Sequence, residues 1–89
     1  MVSVKRMVLD VLKPHQPNPL EFCLAIANAG ADYRVCLNVM EMDERTETVR
    51  VEIVGDSLDF EAIRSTINGM GGSLHSIDEV EAHSEAHGD

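Results

Sequence analysis

An α+β domain with the element order βαββαβ is the fold class this sequence predicts, and three observations carry it. The segment Lys5-Arg6-Met7-Val8-Leu9-Asp10-Val11-Leu12-Lys13 is apolar on both faces and stops at Pro14. Residues 33–54 alternate between apolar and polar on either side of a charged turn. Two helix starts, at Asn18 and Asp59, follow the first and third strand patterns.

In the first segment Met7, Leu9 and Val11 point one way. Val8 and Leu12 point the other way, beside Arg6 and Asp10. A strand that faces water on one side alternates cleanly, whereas apolar residues on both faces mark an interior strand. Pro14 ends it, because proline has no N–H for the ladder. The competing reading, a buried helix, is opposed by the segment's shortness, its β-branched residues and its Pro-rich exit.

Residues 14–18 form a stiff loop. Asn18-Pro19-Leu20-Glu21 then starts a helix, with Asn as the cap, Pro at the first helical position and Glu at the third. The helix runs to Ala27, and Gly30 is expected to stop it in a left-handed conformation. It is apolar all round, so it is either well buried or offers a face to a partner.

Residues 33–42 read as the second strand, with Tyr33, Val35, Leu37 and Val39 on one face. Cys36, Asn38, Met40 and Met42 take the other face. Asp43 to Glu47 is the turn, and residues 48–54 return with Val49, Val51 and Ile53 pointing inward. Asp59 caps the second helix, with Leu58 and Ile63 placed as a hydrophobic staple. Phe60, Ile63, Ile67 and Met70 make its apolar stripe, and Gly69, Gly71 and Gly72 end it. Residues 73–82 form the last strand, in which Leu74, Ile77 and Val80 are spaced by three. That spacing predicts a bulge or a half-exposed edge.

This order is the ferredoxin-like, or split βαβ, plan. Right-handed crossovers give an antiparallel sheet in the order 4-1-3-2, with both helices on one face. Residues 1–82 make one domain. Residues 83–89 are a polar tail, frayed from Glu81 onward.

Composition narrows the function. A net charge of −9 opposes nucleic acid and anionic membranes as partners, since both require clustered Lys and Arg. Cys23 and Cys36, without a CxxC pattern, read as reduced thiols in apolar segments. No apolar run reaches membrane-spanning length and no signal peptide precedes the first strand, so a cytoplasmic protein is expected. With 89 residues, three aromatic side chains and no Trp, the core is small and aliphatic. Self-association is the natural supplement.

The topology gathers polar pieces at one end of the sheet. They are Lys13 and His15 after the first strand, Glu41, Asp43, Glu44 and Glu47 around the hairpin turn, and His75 early in the last strand. Imidazole and carboxylates together hold divalent metals. His15, His75, Glu41 and Asp43 are therefore candidate ligands. Asp78 and Glu79, in an acidic cluster on the last strand, are candidates for Ca²⁺ or Mg²⁺, although EF-hand spacing is absent, and across all six candidates the divalent cation is Ca²⁺, Mg²⁺ or Zn²⁺. The alternative is solvated histidines beside a polar turn. His83 and His87, four apart in the tail, read as accidental.

On the helix-free face, Asp10 and Arg50 are expected to pair across strands. Val8, Leu12, Met40, Met42 and Val54 on that face suggest contacts with another copy of the chain. Catalysis finds little support. The sequence has no nucleophile elbow, HExxH or Walker motif, and the Gly69–Gly72 run ends a helix rather than starting one.

Two strings are specific: Val8-Leu9-Asp10-Val11-Leu12-Lys13-Pro14-His15 and Gly71-Gly72-Ser73-Leu74-His75-Ser76-Ile77-Asp78-Glu79-Val80. Together with Val39-Met40-Glu41-Met42-Asp43 and the Leu58-Asp59-Phe60 helix start, they resemble the archaeal domain-of-unknown-function family numbered 211, from Lys5 to Val80. The resemblance implies a ferredoxin-like fold, a cytoplasmic archaeal source and ring-like homo-oligomers. It implies no established activity, so no catalytic residue is carried over.

The expectation is thus a self-assembling binding or regulatory module without catalytic activity. Its partner is itself, through the sheet face or edge strands, with a small ligand or divalent cation at subunit boundaries. The alternatives are a dedicated divalent-metal-binding protein and, third, a small enzyme with a site between subunits.

Overall fold

The computed structural model describes residues 1–86. Its elements are β1 (Val2–Pro14), α1 (Pro19–Ala27), β2 (Arg34–Met42), β3 (Thr46–Val54), α2 (Phe60–Gly69) and β4 (Ser73–Ser84). The sheet order is β2-β3-β1-β4 with every pair antiparallel, which is the expected order read from the other edge. β1 and β3 are the interior strands, as the two-faced apolar pattern of β1 requires. None of the described helices is long and apolar enough to cross a membrane.

Strand alternation builds the core. Met7, Leu9 and Val11 of β1 lie opposite Ile53, Val51 and Val49 of β3, and all six are buried. Phe22 and Ile26 of α1 and Leu58, Ile63 and Ile67 around α2 close over them. Among the described residues Phe22 is the only aromatic one that is fully buried, so the core is aliphatic, as composition requires.

Both helix starts form as the sequence indicates. Asn18 Oδ1 accepts from the Glu21 amide at 2.8 Å, and Glu21 Oε1 accepts from the Asn18 amide at 3.2 Å, completing a capping box. Asp59 Oδ1 accepts from the Ala62 amide at 3.1 Å, and the Asp59 amide donates to Tyr33 Oη at 2.8 Å. The second helix stops at its glycines as expected, but the stop of α1 differs. Gly30 is not left-handed; α1 ends at Asn28 in a right-handed conformation. Gly30 serves the Tyr33 ring instead, because a Cβ there would fall 2.2 Å from ring carbons. Among the described residues the left-handed one is Gly71, at φ 83° after α2. Its amide donates to Asn68 O and that of Gly72 to Ile67 O, each at 3.0 Å, the paired bonds of a Schellman motif.

Bulges explain β4. Register shifts beside His75 and Asp78 leave Leu74, Ile77 and Val80 opposite Val11, Leu9 and Met7, all on the helix side. The spacing of three is a period of two with an extra residue inserted twice. A further bulge between Val39 and Glu41 of β2 was not legible in the sequence. It sets Glu41 opposite Thr48 on the helix-free face and Met42 opposite Glu47 on the helix side, reversing the expected placement of Met42. Residues 81–84, expected as frayed, complete β4; Val2 pairs with Ser84. Beyond β4 the Glu85 amide donates to Met1 O at 2.9 Å, and the remainder of the tail reading, including His87, falls on residues 87–89, outside the described residues. Cys36, expected in apolar surroundings, is exposed on β2, while Cys23 is half-buried.

Leu9 is fully buried on β1. Leu9→Ala is expected to cost about 2–5 kcal/mol in urea unfolding. A loss under about 1 kcal/mol would contradict the packing described.

Candidate functional site

Alternation along β1 carries one residue past the apolar run, to Lys13, and alternation along β3 carries back to Glu47. The two are register partners on the helix side, and both are buried. Lys13 Nζ donates to Glu47 Oε1 at 3.0 Å and to the carbonyl of Pro14 at 2.7 Å. It lies 5.4 Å from the centroid of the Phe22 ring. A buried ammonium without partners is costly; carbonyl, carboxylate and aromatic face together compensate it.

His15 extends the pair. Its Nδ1 is 2.9 Å from Glu47 Oε2, and its Nε2 is 2.9 Å from the carbonyl oxygen of Asp43 and 3.0 Å from that of Glu44. The loop after β1 is thereby tied to the β2–β3 turn. The Glu47 carboxylate, followed by the Glu44 carbonyl, raises the His15 pKa. His15 and then Lys13 hold the Glu47 carboxyl below its usual range, against the effect of burial. The stability that Glu47 contributes is present above its unfolded value, about 4.3. It is lost as pH falls through the lower folded value.

The helix-free face carries a second group. Asp10, Leu12, Glu41, Thr48 and His75 line an open concavity of about 400 Å³. Asp10 Oδ2 is 3.0 Å from His75 Nδ1. Beside it, Arg6 Nε donates to Glu52 Oε2 at 2.6 Å and Nη1 to Glu79 Oε1 at 2.8 Å, while Arg50 Nη2 reaches Glu79 Oε2 at 3.4 Å. Val8, register partner of both Glu52 and Glu79, is fully buried despite facing away from the helices. Asp10 and Arg50 are register partners as expected. Their charges pair elsewhere, however, with His75 and Glu79.

The six expected metal ligands therefore do not form one site. His15 serves Glu47 and two carbonyls, so neither ring nitrogen is left to ligate. His75 serves Asp10 and shares the concavity with Glu41. Asp43 lies in the turn, Asp78 accepts from Ser76 Oγ at 2.7 Å, and Glu79 is held by two arginines. Among the described residues no three His, Cys, Asp or Glu side chains converge as a metal site requires. Sequence reading missed the Lys13–Glu47 pair, although the parity of the two strands pointed to it.

Over residues 5–86 the chain matches the family DUF211, described as uncharacterized ArCR. An uncharacterized protein of Methanocaldococcus jannaschii is 43% identical over 82 residues, covering 92% of this chain and 84% of that protein.

Breaking the buried pair from one side is expected to cost more than removing it whole. Lys13→Met should lose about 3–5 kcal/mol, and Lys13→Met with Glu47→Leu should recover most of that. Chemical denaturation of the three proteins checks this. A single variant as stable as the parent would show that the pair carries no weight.

Proposed function

Because this chain belongs to the DUF211 family, whose description assigns no activity, we propose from its surface that it is a self-assembling binding or regulatory module without catalytic activity. The observation that carries the reading is the placement of exposed apolar side chains along both unpaired sheet edges. On the β2 side, Val39, Met40 and Met42 are exposed, with Leu20 and Leu24 on the neighbouring α1. On the β4 side, Ile77 and Val80 are exposed. Met42 keeps 64% and Val80 56% of its full accessibility. Such apolar edges are liabilities in a monomer and useful in an assembly.

Both edges also carry charges free to pair between copies, Glu41, Asp43 and Glu44 lying beside two arginines on the β2 side. Arg34 and Arg45, on β2 and the turn after it, have no ion-pair partner within the described residues. Asp78 and Glu81 on β4 have none either. A contact of one edge on the other, repeated from copy to copy, closes into a ring if its rotation permits. The Asp10–Glu41–His75 concavity offers such an assembly a place for a small ligand. Cys23 and Cys36 are both free thiols, which supports a reducing, cytoplasmic setting.

Native mass spectrometry of the untagged chain tests the reading. A discrete homo-oligomer is expected, and Val80→Asp or Met42→Asp should each shift it to monomer while the circular dichroism of the fold persists. A parent protein that is monomeric at micromolar concentration would overturn it.

A further inference from the structure

We propose that His15 is a pH-sensitive clasp: its doubly protonated ring holds the β2–β3 turn to the loop after β1, and loss of one proton releases that turn. The inference rests on hydrogen-bond valence. Both ring nitrogens lie within 3.0 Å of oxygens, and these are one carboxylate and two backbone carbonyls. Carbonyls only accept, and Glu47, also 3.0 Å from Lys13 Nζ, presents a carboxylate. A neutral imidazole carries one N–H and one lone pair. Either neutral tautomer would aim its lone pair at an acceptor, so only the imidazolium satisfies every contact.

The charged groups around the ring are few. Glu47 faces it from β3, with Lys13 of β1 behind that carboxylate. The turn brings Asp43, Glu44 and Arg45, whose side chains are exposed. The ring takes the Asp43 and Glu44 carbonyls, while the Asp43 amide donates to Thr46 O at 2.8 Å. Two of the bonds that position the turn therefore come from one titratable side chain.

The raised pKa of His15 agrees in direction. A value above the unfolded one, about 6.5, means that the contribution is fully present below that pH. It is lost as pH rises through the folded value, which the Glu47 carboxylate holds above the unfolded one. The device goes beyond the assembly reading, and its read-outs are local to one chain.

Nitrogen-15 NMR of the His15 ring, followed from about pH 5 to about pH 9 beside exchange protection of the turn amides, tests it. Both ring nitrogens are expected in the imidazolium range below the ring's titration midpoint, with that midpoint above the unfolded value of about 6.5. Protection of the Asp43 amide is expected to fall roughly tenfold through the midpoint of the ring's titration. His15→Gln should remove that step while amides in the centre of β1 keep their protection. A ring that titrates at or below the unfolded value of about 6.5, or turn protection unchanged through its titration, overturns the proposal. If the variant does not fold, the coincidence of the two midpoints in the parent protein decides the matter.

Discussion

The register between β1 and β3 depends on a buried charge finding its partner. Slipping β1 by one residue would turn Lys13 onto the helix-free face and Val8 into the core. Slipping it by two would keep the parity but leave the Glu47 carboxylate without its ammonium. Apolar pairs such as Leu9 and Val51 already forbid the one-residue slip, which would turn the whole apolar set out of the core, but they tolerate the two-residue slip more cheaply than an ion pair does, because dispersion is not directional. Lys13 and Glu47 therefore make one alignment preferable to its neighbours. Once that alignment holds, β2 and β4 add to the outer sides, and the helices find the apolar surface of Met7, Leu9 and Val11.

The fold was legible because its signals are local. A capped helix start, a two-residue alternation and a glycine stop each lie within a few neighbouring residues, as Asn18-Pro19-Leu20-Glu21 illustrates. Even the irregular β4 announced itself, since Leu74, Ile77 and Val80 break the alternation by inserted residues. The bulge at Met40 left no such mark, because Val39, Met40 and Met42 are apolar on whichever face they lie. Its effect was to carry Glu41 to the face opposite the one its parity with Val39 indicates.

The site was less legible because its contacts are tertiary. Sequence separation says nothing about whether His15 meets Glu47 or His75. That choice follows from the twist and length of strands that bring the hairpin turn over the loop after β1. Asp10 shows the same limit. Its register partner was correctly expected to be Arg50, yet a carboxylate reaches diagonally as readily as straight across, and His75 lies there. Charges on the helix-free face pair off locally into the Glu52–Arg6–Glu79–Arg50 chain. This leaves the unmatched charges near the edges.

The position of β1 in the sheet also governs the order in which the chain can fold. β1 precedes both of its neighbours, and its pairing with β4 joins residues as distant as Val2 and Ser84. Little of its backbone can be satisfied until β3 and β4 exist, and its two apolar faces stay uncovered meanwhile. High contact order of this kind slows folding and prolongs exposure of a sticky strand. The β2–β3 hairpin, closed by a turn of three residues between its strands, is the one sheet contact that can form early. It would serve as the template onto which β1 docks, leaving β4 to close the domain last.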